Sequence, residues 1–93
     1  MIISFRGEET ENLFHRRRSR RLPTDIQRAA QRKLVMLDAA VSLMDLRMPP
    51  GNHLERLMGS RQGQHSIRVN NQWRVCFRWE NADAHQVEIT DYH

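Results

Sequence analysis

Asp91, Tyr92 and His93 stand side by side in the chain: a carboxylate, a phenol and an imidazole. Together they offer a proton acceptor, a hydroxyl and a group that titrates near neutral pH. They follow Val87-Glu88-Ile89-Thr90, whose alternation is that of a β-strand, so a strand is expected to hold them in place. A second set of groups lies upstream. Between Gln72 and Glu80, Trp73, Val75, Phe77 and Trp79 alternate with Arg74, Cys76 and Arg78. If the Trp-bearing face packs on a core, Arg74 and Arg78 face the other way. Arg68 does the same from the preceding strand, between Ile67 and Val69.

An arginine-lined sheet face beside these three groups is suited to phosphodiester chemistry. RNA cleavage without a metal needs a 2′-OH held in line with its phosphate, proton transfer to and from the reacting oxygens, and stabilisation of the extra charge on the phosphorane. Arginine supplies the last. His93 can act as acid or base, Tyr92 can stack on a base or hold the phosphate, and Asp91 can orient the imidazole or accept a proton.

No metal or other cofactor is expected. His15, His53, His65, His85 and His93 contain no i, i+4 pair, and there is no cysteine cluster to complete a site. Cys76 is the only cysteine, which excludes an internal disulfide, and its place between Val75 and Phe77 reads as a strand interior. The 93 residues carry 15 basic side chains against 11 acidic ones, and every basic residue except Lys33 is an arginine. Arginine forks match phosphate bidentately, so this surplus favours a polyanionic partner. The opening Met1-Ile2-Ile3-Ser4-Phe5-Arg6 reads as a strand rather than a signal peptide, and no stretch approaches transmembrane length. A cytoplasmic protein without membrane contact is expected.

The elements that must position these groups read as one α+β domain over residues 1–93, ordered β-α-α-β-β-β, with two antiparallel helices on one face of a mainly antiparallel sheet. Ile2 to Phe5 is a first strand. Residues 8 to 18 are helical in character, with Glu8, Glu9 and Glu11 at the start and Arg16, Arg17 and Arg18 at the end, an order that suits the helix dipole. Ser19 to Leu22 is a basic connector, and with the helix end it makes the run Arg16 to Arg21, a candidate nucleic-acid contact whose plainer reading is a solvated, partly mobile loop. Thr24 and Gln27 have capping-box spacing. The stripe Ile26, Ala30, Leu34, Leu37, Val41 and Met44 predicts one helix from about 24 to 46, stopped by Pro49-Pro50-Gly51-Asn52. After the turn-rich stretch Gly59 to Gly63, strands are expected at 65–69, 72–80 and 85–92, with turns at Asn70-Asn71 and Asn81-Ala82-Asp83.

Three segments together carry a family resemblance. Gly63-Gln64-His65-Ser66-Ile67-Arg68-Val69, Gln72-Trp73-Arg74-Val75-Cys76-Phe77 and Asp91-Tyr92-His93 are similar to segments of the HigB-type toxins of the RelE/ParE superfamily, and the likeness covers essentially the whole chain. It implies the RelE-like fold and the toxin of a type II toxin–antitoxin pair. The implied activity is a ribosome-dependent, metal-independent mRNA endoribonuclease. The implied partners are the ribosome, its mRNA, a HigA-type helix-turn-helix antitoxin and, through the antitoxin, operator DNA.

The resemblance assigns His93 as the catalytic histidine, Tyr92 and Asp91 as its active-site neighbours, and Arg74 as the arginine on the phosphate. Some members have a His and a Lys just before the Gly-rich turn, where this chain has Glu55 and Met58. Glu55, His53 and His65 are therefore accessory candidates, and Arg61, Arg68 and Arg78 are candidate phosphate contacts. A non-catalytic toxin that binds the ribosome or DNA gyrase is the competing reading, and a small nucleic-acid-binding module a third.

Overall fold

The computed structural model of the chain describes residues 1–91. Three helices, α1 (Glu8–Phe14), α2 (Thr24–Ala39) and α3 (Leu43–Arg47), precede four strands, β1 (Glu55–Arg56), β2 (Gln64–Arg68), β3 (Trp73–Glu80) and β4 (Asp83–Asp91). Short 3₁₀ turns at Pro50–Asn52 and Gly59–Arg61 flank β1. The strands form a single sheet in the order β1-β2-β3-β4, and every pairing between them is antiparallel.

The core lies between the helices and one face of the sheet. Ala30, Leu34 and Leu37 of α2 meet Ile67, Val75, Phe77, Ala84 and Val87, all fully buried. Burying a side chain such as Leu34 or Phe77 contributes roughly 1.5–3 kcal/mol. Trp73 and Trp79 flank this layer half-buried, so the Trp-bearing face of β3 does pack on the helices.

Four expectations need correction. The helix expected over 8–18 ends at Phe14, because Arg16 takes a left-handed φ of 63° and turns the chain away. Arg16, Arg17 and Arg18 therefore leave the helix instead of closing it. The helix expected over 24–46 breaks at Ala40, whose ψ of 135° is extended. A new cap explains the break. Asp45 accepts hydrogen bonds from the amides of Val41 (2.9 Å) and Ser42 (3.2 Å), forming a capping box that starts α3. Val41 and Met44, placed in the buried stripe by periodicity, are 74% and 55% exposed, and Leu46 takes the core position.

The Thr24–Gln27 capping box does not form, since no side chain caps α2. Gln27 turns back instead, donating to the carbonyls of Ser19 and Leu22, both at 2.9 Å, and accepting from the Ser19 amide at 3.3 Å. Finally, Ile2 to Phe5 is not a continuous strand. It runs parallel to β4 through two isolated bridges, Ile2 with Ala84 and Phe5 with Val87. Between them β4 carries a bulge at Gln86 (φ 53°), and the Gln86 amide bonds to the Ser4 hydroxyl at 2.9 Å.

β1 was not anticipated. It is only two residues long, and it places Glu55 opposite Ser66 and Arg56 opposite His65.

Candidate active site

Cross-strand partners share a face of the sheet, so the register sorts the candidates. Glu55, Ser66, Cys76 and Glu88 form one row across the four strands on the face away from the helices. Beside it, Arg68, Arg74 and Thr90 form a second row. Arg74 is thus brought together with Arg68 and Glu55, as the alternation of β2 and β3 required for the two arginines. Like charges placed directly opposite each other cost stability. Here they concentrate positive potential at one end of the sheet.

Arg74 is built in rather than free. It is only 8% exposed. Its Nε donates to the Ser66 hydroxyl at 2.7 Å, and its Nη2 donates to the carbonyls of Ser66 (3.3 Å) and His53. Its Nη1 stands 4.0 Å from the half-exposed Glu55 carboxylate. Two of its three nitrogens are thereby spent on the protein, which fixes the plane of the guanidinium and aims the third toward the Glu55 side. A charge held this way needs little reorganisation when negative charge develops beside it.

The support extends below Arg74. His53 sits in a left-handed conformation (φ 41°) that turns its carbonyl toward the guanidinium. The preceding residue, Asn52, is fully buried, donates to the Leu46 carbonyl at 2.9 Å and accepts from Lys33 Nζ. Burial, with Arg32 and Arg68 nearby, pushes the Lys33 pKa down. Neither Asn52 nor Ser66 stood out in the sequence. Asn52 read as part of a helix stop, and Ser66 only as one residue of the segment Gly63 to Val69 that carries the family resemblance.

The remaining candidates are spread more widely. Arg61 bridges to Glu88 at 3.2 Å and bonds Gln64 at 3.2 Å, so it covers the Glu88 row as one half of an ion pair. Arg68 donates to Asn71. Arg78 donates from Nε to Gln86 at 3.2 Å and packs over Gly63, where a Cβ would come within 2.8 Å of its Nη1. Gly63 has a φ of 90°, which strains any other residue there, whereas the Arg78 side chain could swing aside from a Cβ. Cys76 is fully buried in this layer, and burial raises its thiol pKa, with a smaller lowering effect of Arg61 and a smaller raising effect of Glu88.

Two expectations fail here. His65 pairs with Phe77, stacks on its ring at 6.1 Å between centroids, and so faces the helices, away from Arg74. Its Nδ1 is buried without a partner, and desolvation, reinforced by Arg56, lowers its pKa. Asp91 pairs with Trp73, which puts it on the helix side of the sheet, and its carboxylate accepts from Gln72 Nε2 at 2.8 Å. Asp91 and Arg74 therefore lie on opposite faces at the same end of the sheet. His53 contributes its carbonyl. Tyr92 and His93 lie outside the described residues. Among the described residues, no three His, Cys, Asp or Glu side chains gather into a metal-binding group, and no helix is long and apolar enough to cross a membrane.

The chain is similar to known proteins along almost its whole length. Residues 3–93 match the model of the HigB-like toxins, described as RelE-like toxins of type II toxin–antitoxin systems. Toxin HigB-1 of Vibrio cholerae is 44% identical over 85 residues, covering 90% of each chain. Endoribonuclease HigB of Proteus vulgaris is 33% identical over 94 residues and covers all of both chains. Among solved structures, a chain of the heterotetrameric YoeB–YefM toxin–antitoxin complex of Staphylococcus aureus superposes with a TM-score of 0.60 at 14% identity, over 100% of this chain and 98% of that one, which shows a shared fold. A family model matched over residues 3–93 and two relatives that align over nine-tenths or more of their length show that the protein belongs to the HigB-like toxins, the RelE-like toxins of type II toxin–antitoxin systems.

Proposed function

We propose that the protein is a ribosome-dependent mRNA endoribonuclease, independent of metal, whose toxicity is neutralised by a HigA-type antitoxin. One observation carries the reading: the guanidinium of Arg74, fixed by Ser66 and by the His53 carbonyl, with Nη1 turned to the open face. The name of the Proteus vulgaris relative, an endoribonuclease, supports the chemistry. The toxin–antitoxin family supports an antitoxin partner.

In this reading Arg74 takes the non-bridging oxygens of the scissile phosphate and stabilises the charge of the phosphorane. Glu55, 4.0 Å away, balances the cation and takes the 2′-OH proton when the phosphate replaces it beside Arg74. His93 is the general acid on the leaving 5′-oxygen, and Tyr92 stacks on a base or holds the phosphate. Asp91, tied to Gln72, is a positioning residue that anchors the end of β4. Arg68 adds potential, as do Arg61 and Arg78 after exchanging their protein partners for phosphate. General acid–base assistance of this kind is typically worth about two to four orders of magnitude in rate.

The face is open, so the ribosome supplies the positioning that an enclosed pocket otherwise supplies. The test is a reconstituted translation reaction with purified components. Cleavage of mRNA should appear with translating ribosomes and be nearly absent with mRNA alone. Equal cleavage in both reactions would sink the ribosome requirement. Inhibition of translation with intact mRNA would instead identify a toxin that acts by binding.

A further inference from the structure

The arginine run at 16–21 lies apart from the Arg74 face and has a built-in support. Ser19 is 3% exposed in the middle of it, and Gln27 is 9% exposed beneath it. The Gln27 amide ties Ser19 and Leu22 to α2. The Ser19 hydroxyl bonds Glu9 at 3.1 Å and accepts from the amides of Arg21 (3.3 Å) and Leu22 (3.2 Å). A segment expected to be mobile is therefore tied to both α1 and α2 through one buried serine.

The side chains held outward by this hub are arginines. Arg16, Arg17, Arg18, Arg20 and Arg21 are all exposed. Apart from a 3.4 Å hydrogen bond from Arg17 to Asn12, none of their guanidinium groups has an ion-pair or hydrogen-bond partner among the described residues. Two grooves meet at Arg18. One, of about 550 Å³, is lined by Arg18, Ser19, Arg20, Leu22 and Thr24. The other, of about 290 Å³, includes Arg16, Arg17 and Arg28. Neither lining contains a carboxylate. A third groove, of about 510 Å³, runs from Arg20 and Arg21 past Glu8 and Glu9 to Glu88 of β4, and its three carboxylates leave the two grooves around Arg18 as the ones suited to phosphate.

We propose that this loop is a second, preorganised binding site for the phosphodiester backbone of RNA, distinct from the site of cleavage. The inference rests on the ribonuclease reading for its biological setting and on the loop's own geometry for the binding. Unpaired guanidinium forks on a fixed backbone match a row of phosphates without reading sequence. An acidic protein surface fits less well. Protein interfaces place an apolar cluster at their centre, whereas the apolar side chains that this chain exposes most, such as Val41, Met48 and Met58, lie elsewhere.

The test is binding of full-length protein to two fluorescent, non-cleavable 2′-O-methyl RNAs, a single-stranded 20-mer and a hairpin, by anisotropy across a salt series. Removing three phosphate contacts with R18A/R20A/R21A should make the slope of log affinity against log salt shallower by about 2 for the single strand. Loss in the single-strand arm identifies messenger-like RNA, and loss in the hairpin arm identifies helical RNA such as that of the ribosome. Either loss supports the proposal. Gln27→Ala keeps every arginine but frees the loop, and should weaken binding about fivefold, on the order of the cost of fixing one residue's backbone. Unchanged slopes in both arms overturn the proposal. Because the RNA cannot be cut, a protein without nuclease activity that still shows the slope change refutes the ribonuclease reading and leaves this site standing.

Discussion

Removing the Ser66 hydroxyl should strand the side chain on which the site depends. Ser66 is fully buried, and Arg74, at 8% exposure, is nearly so. The bond between them is 2.7 Å and its donor is charged. Hydrogen bonds to charged groups contribute about 1.5–3 kcal/mol, and a buried donor left unpaired costs its desolvation as well. Arg74 keeps two carbonyl partners, those of Ser66 and His53, so Ser66→Ala should cost about 1.5–2 kcal/mol, in the lower part of that range. For a domain of this size that lowers Tm by roughly 6–16 °C. Urea unfolding of Ser66→Ala, Arg74→Met and the double variant closes a thermodynamic cycle. Once the guanidinium is gone, losing the hydroxyl should cost less than about 0.5 kcal/mol, which gives a coupling of more than about 1 kcal/mol. Additive losses would show that the bond does not hold Arg74, and the account of a fixed phosphate-binding cation would fail with it.

Other consequences follow from the same geometry. Asn52→Ala leaves the Leu46 carbonyl and Lys33 without their partner. It should cost about 1–3 kcal/mol in chemical unfolding and lower RNA cleavage by loosening His53. Ser42→Ala removes the cap of α3 and should cost about 1 kcal/mol in the same assay, with little effect on cleavage. His65 has a folded-state pKa below its unfolded one, so the unfolded chain binds the extra proton and stability falls as pH drops below about 6.5. His65→Gln should flatten the acid side of the stability profile relative to the parent protein, and parallel profiles for the two would refute the assignment.

Where one local rule acted alone, the sequence was legible. The alternation of Trp73, Val75, Phe77 and Trp79 placed Arg74 and Arg68 on one face, and the register confirms both. The stripe from Ile26 to Leu37 is buried as its period required. Misreadings arose where two rules competed. The periodicity of Val41 and Met44 hid a helix break, because the capping signal Ser42-x-x-Asp45 lies inside an apolar pattern. Gln27 had capping spacing, but the carbonyls of a distant loop offered it more partners than one amide. The face of Asp91, two residues beyond the buried Ile89, follows from the alternation of β4 and is borne out by its pairing with Trp73, which reading three reactive residues as one cluster overlooked. Asn52 and Ser66 carry no chemical signature, and their part in holding Arg74 exists only after the segments around His53 and β2 meet β3.

The most direct measurement of the central claim is 5′-end mapping of cellular mRNA after controlled expression of the parent protein, Arg74→Ala and His93→Ala. The account predicts translation-dependent cuts within coding regions for the parent, and a fall of at least about a hundredfold in their frequency for each variant. Undiminished cuts in Arg74→Ala, with the protein folded and present at equal level, would contradict it.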